Sequence, residues 1–477
     1  MTSFASRAAM RAAVFAACAC CAWTQTRLVN LSITALDKSG QPVTDLKPTD
    51  LQVADDGKQQ SLVLFRLNEQ QHAAAVPPHE YSNRTAETPS GAIIMVYDLL
   101  NGTFTDREYI TISIVKALAR LENPGNVFLY FITNKGEFYP IHPLPSSADA
   151  AKLDRTWTTQ SKAMIDDAVQ HVYGLRPMDA RDPAVRSVAA YKLLEDLSVA
   201  ASALPGRKTM VWITDGPPIA VNYGGSCHDV TVMGVTSRCI GEYVDFTPLV
   251  RKVASDVDRN GLTISPVEAY GVSVQTREVL EDIATETAGK VYVTASLNDA
   301  IATAVQTGRA NYSVAFQPAN WDGKYHKLKV TCARKGVQIF AEQGYLAAAP
   351  VDETAKLVQS AAFAPIDLAG IGLRASYSAG RVQLKIDANT LQLPKIDGHY
   401  TGDLAMVFLA ISDKGPATIG KPNALSLNLT DQQYETAMHD GIPLSQPLTV
   451  PAGVKQVRIV VADRAAGTVG SLTLPAQ

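Results

Sequence analysis

The alternation of hydrophobic and polar positions changes twice along the chain and divides it into three regions. Before residue 69, short alternating runs such as Leu28–Ile33 are separated by polar turns, which predicts β-strands. From Gly91 to about residue 310, continuous apolar runs alternate with longer helical stretches. Continuous apolar runs are typical of strands buried on both faces of a parallel sheet. We therefore predict a central, doubly wound, Rossmann-like α/β domain, with β-structure returning after it.

The domain boundaries follow the turns and polar stretches between these regions. About two to four domains are expected for a chain of 477 residues. Residues 69–90 are polar, contain two consecutive prolines and show no periodicity, which indicates a linker. The β modules on either side of the α/β domain are expected to be immunoglobulin-like sandwiches. The predicted segments are a signal peptide (1–23), an N-terminal β module (24–68), the linker (69–90), the α/β domain (91–310), a β extension that packs with the N-terminal module (311–350) and a C-terminal β-sandwich (351–477).

The first 23 residues predict export. Arg7 and Arg11 precede an apolar stretch that is too short to span a bilayer as a helix, and Ala19–Ala22 ends in the small residues of a cleavage site. This pattern is typical of a secretory signal peptide, so we expect the protein to be secreted, periplasmic or associated with the cell envelope. Cys18 follows Phe15–Ala17, which loosely resembles a lipoprotein processing site without its usual leucine. A lipid anchor at Cys18 is therefore an alternative.

Charge and hydropathy exclude two classes of partner. The net charge is −3 and no basic run or acidic tail is present, so nothing in the sequence predicts binding to nucleic acid. After the signal peptide no run is long enough and apolar enough to form a membrane helix, so no transmembrane segment is expected.

Cys227 and Cys239 flank a polar, glycine-containing loop. In an oxidising compartment we expect a disulfide that closes this loop. Two free thiols are the alternative, and a metal site that includes His228 fits no zinc spacing. The surrounding loop, Pro217–Asp245, is long enough to be either a specificity element or a decorative insertion. Cys332 lies in a predicted strand and is expected to be a small buried residue.

Two predicted strands of the α/β domain end in acidic residues, Asp98 and Asp215. Ligands of doubly wound sheets bind beyond the carboxyl ends of the strands, where the strand order reverses. If that reversal lies between these two strands, both carboxylates face one crevice, and clustered oxygens suit a hard cation such as Mg²⁺. The alternative is that both aspartates are turn and cap residues that accept backbone N–H bonds.

The succession of these motifs resembles a von Willebrand factor type A (VWA) domain, and more narrowly the VWFA-related proteins known chiefly from Acidobacteria. The resemblance covers most of residues 25–350. The stretches that carry it are Tyr97–Asn101, Leu204–Trp212, Trp321–Val330 and the pattern Asp37–Phe65.

The resemblance implies a metal-ion-dependent adhesion site, whose first motif is Asp-x-Ser-x-Ser. Asp98 and Asp215 match the two aspartates of such a site. Leu100 and Gly102 stand at the serine positions and have no hydroxyl, so the implied site is degenerate and would need water to complete its coordination. Asn101 is a further candidate oxygen ligand, and Mg²⁺ is the candidate cation.

Other polar clusters have simpler interpretations. Asp55-Asp56-Gly57-Lys58 predicts a hairpin turn, since the remaining oxygen ligands of an EF-type calcium loop are absent. Five histidines are scattered along the chain, and each is expected to be a surface residue rather than a catalyst: His142, His171, His326, His399 and His439.

No catalytic constellation stands out in the sequence. There is no phosphate-binding loop, no dinucleotide fingerprint and no His-Glu-x-x-His motif. We therefore expect a non-enzymatic protein of adhesion or protein–protein interaction. Its unidentified protein partner would bind the rim around Asp98, Asn101, Asp215 and the Cys227–Cys239 loop. The alternatives are a metal-dependent hydrolase that uses Asp98 and Asp215, or a structural envelope component with a vestigial metal site.

Overall fold

The computed structural model describes residues 28–68, 76–77, 79–84, 92–102, 107–121, 124–144, 156–173, 183–202, 204, 207–218, 220–225, 227–269, 274–293, 296–308, 311–347, 354–364, 366–412 and 415–476. The predicted signal peptide and its Cys18 lie outside these ranges.

The α-helices in chain order are α1 (Arg107–Leu118), α2 (Ser161–Tyr173), α3 (Pro183–Ala201), α4 (Thr247–Arg259), α5 (Val274–Glu286), α6 (Leu297–Thr307), α7 (Thr354–Phe363) and α8 (Asp431–Asp440). Across the described ranges, no helix has the length and apolar character needed to cross a membrane.

The strands in chain order are β1 (Val29–Leu36), β2 (Leu51–Asp55), β3 (Lys58–Gln60), β4 (Leu62–Asn68), β5 (Tyr81–Ser82), β6 (Ile93–Asp98), β7 (Val127–Ile132), β8 (Phe138–His142), β9 (Lys208–Thr214), β10 (Ala220–Asn222), β11 (Val230–Val232), β12 (Val235–Ser237), β13 (Cys239–Ile240), β14 (Tyr243–Asp245), β15 (Leu262–Glu268), β16 (Asn311–Phe316), β17 (Tyr325–Cys332), β18 (Gln338–Ala341), β19 (Gly344–Leu346), β20 (Leu373–Ser378), β21 (Arg381–Ile386), β22 (Lys395–Ile396), β23 (His399–Ser412), β24 (Gly415–Leu429), β25 (Ile442–Pro447), β26 (Gln456–Asp463) and β27 (Thr468–Pro475).

The central domain is a doubly wound α/β sheet, as its continuous apolar runs predict. Its strand order is β15-β9-β6-β7-β8, in which only the edge strand β8 is antiparallel to its neighbour. All residues of β6, β7 and β9 are buried, because α1, α2 and α6 cover one face and α3, α4 and α5 cover the other. Beside β15, Tyr292 forms a single parallel bridge with Val267. The strand order reverses between β6 and β9.

A β-sandwich forms from two segments that flank the α/β domain in the sequence. One of its sheets has the order β18-β1-β16-β4 and the other β19-β17-β2-β3. β1 pairs with β16, and β2 pairs with β17, in both cases antiparallel. The buried side chains of Ile33, Val53 and Phe316 belong to one core between the sheets. The α/β domain is thus inserted into this module between β4 and β16.

The C-terminal region is a second two-sheet module. Its sheets have the orders β25-β21-β20-β5 and β22-β23-β26-β27, and β24 also pairs with β23. They share a core that includes Val382, Phe408 and Ile459. Helix α7 packs on the outer face of the second sheet, against residues such as Leu409 and Val460. These facts establish two antiparallel sandwiches, and their immunoglobulin-like character stays a prediction.

Part of the predicted linker is an ordered strand of the C-terminal module, so the expectation of no regular structure there is wrong at residues 81 and 82. β5 pairs with β20. The Asn83 side chain donates to the carbonyl oxygens of Leu368 and Ile371, both at 2.8 Å, and accepts from the Leu373 backbone N–H at 2.7 Å. A two-residue strand held by one amide side chain leaves no periodic signal in the sequence. We call residues 79–84 the strap.

Candidate functional site

The reversal of strand order brings the two predicted rim aspartates to one crevice. β6 and β9 are parallel neighbours, with Tyr97 opposite Ile213, so Asp98 and Asp215 lie at the same edge of the sheet. The loop after β6 turns back between them. A Cβ atom on Gly102 would lie 3.0 Å from the backbone oxygen of Asp98 and 3.7 Å from Oδ2 of Asp215. The carboxyl rim of this sheet is the place where ligands of doubly wound folds bind.

Asp98 is fully buried and its carboxylate organises this loop. Oδ1 accepts hydrogen bonds from the backbone N–H groups of Leu100 at 3.0 Å and Asn101 at 3.1 Å. Oδ2 accepts from the Asn101 side-chain amide at 2.9 Å and from the Thr214 hydroxyl at 2.8 Å. Burial raises the pKa of Asp98, and these hydrogen bonds oppose that rise. Both oxygens are therefore engaged by the turn and by the neighbouring strand.

The three predicted metal ligands are close together, but their chemistry fits a tightly bound cation poorly. Asn101 uses its amide nitrogen to bond Asp98. Leu100, at a position where the implied site needs a hydroxyl, is buried and apolar. Asp215 is half-buried, and it follows Thr214, whose hydroxyl also accepts from the Gly216 backbone N–H at 2.8 Å. Since both serine positions of the implied site lack a hydroxyl and each oxygen of Asp98 already accepts two hydrogen bonds, the rim offers too few free oxygen ligands for a tightly bound cation.

Thr214 is the residue of this site that sequence reasoning missed. It links β6 to β9 through the Asp98 carboxylate and holds the turn at Gly216, which has a φ of 78°. In the sequence, its position directly before Asp215 is the feature that could have identified it. Burial raises the pKa of the Tyr191 hydroxyl on α3, and the charge of Asp98 adds to that rise.

The long loop after β9 carries the predicted disulfide between Cys227 and Cys239, whose Cα atoms are 5.7 Å apart. The loop is not irregular. It contains a three-stranded antiparallel sheet in the order β10-β14-β13 and the hairpin β11–β12. Val221 and Val244, which face each other across β10 and β14, are buried in the core of the α/β domain. The loop is thus anchored to the domain by one of its faces.

Three large side chains of this small sheet and its edge are exposed, and we call them the rim patch: Tyr223, Ile240 and Tyr243. They are 41%, 66% and 50% exposed. Tyr243 and Ile240 are directly paired across β13 and β14, so their side chains lie on the same face. Tyr223 follows β10, and its N–H donates to the carbonyl of Glu242 at 2.9 Å. Sequence reasoning identified this loop but not the patch, because the strand register decides which side chains face outward.

No protein-family model and no curated protein matches this chain. Similar solved structures include an aerotolerance-related membrane protein from Bacteroides fragilis (14% identity, 46% of this chain and 98% of that one, TM-score 0.26). They also include a von Willebrand factor type A protein from Catenulispora acidiphila (10% identity, 87% and 73%, TM-score 0.28). A third is proximal thread matrix protein 1 from the mussel byssus (10% identity, 47% and 47%, TM-score 0.27). These scores are too low to carry an argument about family or function, and the description of the α/β domain rests on its own strand order.

Proposed function

We propose that this protein is an exported, non-catalytic interaction protein that binds a protein partner through the rim patch. The observation that carries the proposal is the disulfide-closed sheet of the rim loop, which exposes Tyr223, Ile240 and Tyr243, the last two of them paired side by side. Clustered exposed apolar side chains mark interaction surfaces more often than isolated ones do, and tyrosine is enriched among the residues that dominate binding energy.

The covalent closure supports this role. A disulfide persists in oxidising compartments, which agrees with the predicted export. It also restricts the conformations of the loop before binding, so less entropy is lost when a partner docks. The buried face around Val221 and Val244 fixes the sheet to the domain. The rim patch is therefore presented on a rigid base rather than on a free loop.

The aspartates of the crevice have a positioning role in this proposal. Asp98 and Thr214 tie the loop after β6 to the end of β9, directly before the rim loop begins. This holds the base of the rim loop in place without any bound cation. The hydrolase alternative has no support from the geometry, because the carboxylate of Asp98 is buried and fully hydrogen-bonded.

The test is capture of a partner from envelope extract of the source organism, with the protein as bait. We expect the double variant Ile240→Ser, Tyr243→Ser to lower the captured amount of a specific protein at least about tenfold, since buried anchors of this kind are each worth about 1–2 kcal/mol or more. The matched control is Val199→Ser with Phe363→Ser, two exposed apolar side chains on α3 and α7. Equal capture by both double variants and the wild type would refute the rim patch as the binding surface.

A further inference from the structure

A histidine and several carboxylates meet in the N-terminal sandwich, far along the chain from the rim. Asp55 ends β2 and Asp56 begins the turn to β3, while His326 lies on β17 and Tyr345 on β19. The turn is the predicted hairpin, with φ of 45° at Asp56 and 80° at the following glycine. The expectation that His326 is a surface residue is wrong, because the histidine is only 8% exposed.

Three potential ligand atoms converge at this cluster. His326 Nδ1 is 2.9 Å from Oδ1 of Asp55 and 3.9 Å from Oδ2 of Asp56, and one potential ligand atom from each of the three residues lies within 4.8 Å of the others. Zinc bonds to nitrogen and oxygen are about 2.0–2.2 Å long, so neighbouring ligands of a tetrahedral zinc ion are about 3.3 Å apart. The two distances to Nδ1 bracket that value. Small side-chain movements would bring the three atoms to a common centre.

The remaining polar atom of each side chain is already held by the fold. His326 Nε2 faces Oδ1 of Asp322 at 3.2 Å, and a carboxylate on the second ring nitrogen is the usual partner of a metal-bound histidine. Oδ2 of Asp55 accepts from the Tyr345 hydroxyl at 3.0 Å. Oδ1 of Asp56 accepts from the Lys327 backbone N–H at 2.9 Å. The atoms that face the centre are Asp55 Oδ1, Asp56 Oδ2 and His326 Nδ1, which also lies 3.3 Å from the Tyr345 hydroxyl, and these are the atoms that a cation would bind.

The negative charge of this cluster and its access to solvent favour binding of a divalent cation. Asp55, Asp56 and Asp322 carry three negative charges around one imidazole, and Asp55 is 5% exposed. Buried charges need a compensating partner. The Asp56 side chain is half exposed and gives an ion a path from solvent.

We propose that His326 Nδ1, Asp55 Oδ1 and Asp56 Oδ2 bind one divalent cation of the zinc class, which joins the β2–β3 hairpin to β17. The imidazole selects this class over Mg²⁺ and Ca²⁺, which prefer sites made only of oxygen atoms. Sequence analysis rejected calcium at Asp55-Asp56-Gly57 for want of further ligands, and the fold supplies a nitrogen ligand 271 residues away in the chain. The site is independent of the proposed function at the rim.

Calorimetric titration of the untagged full chain with Zn²⁺ tests this proposal. We expect one bound ion for the wild type and at least about tenfold weaker binding for Asp56→Asn. Asparagine keeps the oxygen that accepts from Lys327 and tolerates the positive φ of the turn, so this variant should fold. The matched control is Asp397→Asn, in an Asp-Gly turn with a φ of 49° at Asp397, where the neighbouring His399 contacts the backbone oxygen of Asp397 at 3.4 Å. It should bind Zn²⁺ like the wild type.

Thermal unfolding with and without Zn²⁺ gives a second readout, because a ligand that binds only the folded state raises the midpoint. The rise should be large for the wild type and for Asp397→Asn, and small for Asp56→Asn and His326→Gln. No heat with Zn²⁺ for the wild type would overturn the site and leave the histidine as an ion-pair partner only. Undiminished binding by Asp56→Asn, or Mg²⁺ binding as tight as that of Zn²⁺, would also overturn it.

Discussion

The four hydrogen bonds of Asp98 predict how its substitution changes stability. Asp98→Ala leaves the backbone N–H groups of Leu100 and Asn101 without acceptors in a buried site, so we expect the free energy of unfolding to fall by about 2–4 kcal/mol. Asp215→Ala, at a half-buried position, should lower it by less than about 1 kcal/mol. Denaturant titration of both variants measures the difference. Similar, small losses in the two variants would contradict the positioning role of Asp98.

Rim residues could be predicted from the sequence where the adjacent residues show that they end a strand or enclose a loop. Asp98 and Asp215 directly follow continuous apolar strands, and Cys227 and Cys239 enclose one loop. The bond between Thr214 and Asp98 spans 116 residues and depends on β6 and β9 being neighbours. No local pattern encodes that adjacency, so its partner could be found only from the folded sheet.

At the scale of elements, the disulfide should stabilise the rim loop and leave the rest of the α/β sheet unaffected. Cys227→Ser with Cys239→Ser removes a link that closes a loop of sequence separation 12. Links around loops of this size contribute on the order of 3 kcal/mol in the chain-entropy model. We expect faster hydrogen exchange of the amides in β13 and β14 and unchanged exchange in β9. Reduced wild type serves as the control, and unchanged exchange in β13 and β14 would contradict the prediction.

Elements with strong burial on both faces were the most predictable. β6 and β9 are continuous apolar runs because helices cover both sides of their sheet. By contrast, β5 lies in the segment that was assigned to a linker. The two residues of β5 are held by Asn83 and by the edge of β20, so their structure depends on contacts such as that of Asn83 with Leu373, 290 residues later. Such tertiary contacts override weak local patterns.

At the scale of the whole molecule, arginine side chains form polar contacts between the modules away from the rim, and we call these contacts the joints. Arg207 donates to Asp258 within the α/β domain at 2.6 Å and lies 3.8 Å from Glu342 of the N-terminal sandwich. Arg66 of that sandwich donates to the carbonyl oxygens of Asn389 and Leu391 in the C-terminal module, at 2.7 and 2.9 Å. Arg207 directly precedes β9, whereas the rim patch follows its other end. The joints therefore leave the carboxyl rim accessible to a partner.

The strap is the third connection, and its release should be measurable by proteolysis. Asn83→Ala removes three hydrogen bonds to the C-terminal module, each worth about 1 kcal/mol, so the strap should open at least about tenfold more often. Arg84 within the strap is bound to Asp387 at 3.3 Å, and trypsin can cleave after it only when the segment detaches. We expect cleavage after Arg84, followed by mass spectrometry, to accelerate by that factor in Asn83→Ala.

Asn428→Ala, at an exposed asparagine of β24, is the matched control and should be cut at the wild-type rate. An unchanged rate in Asn83→Ala would mean that β5 and Arg84 hold the strap without the amide.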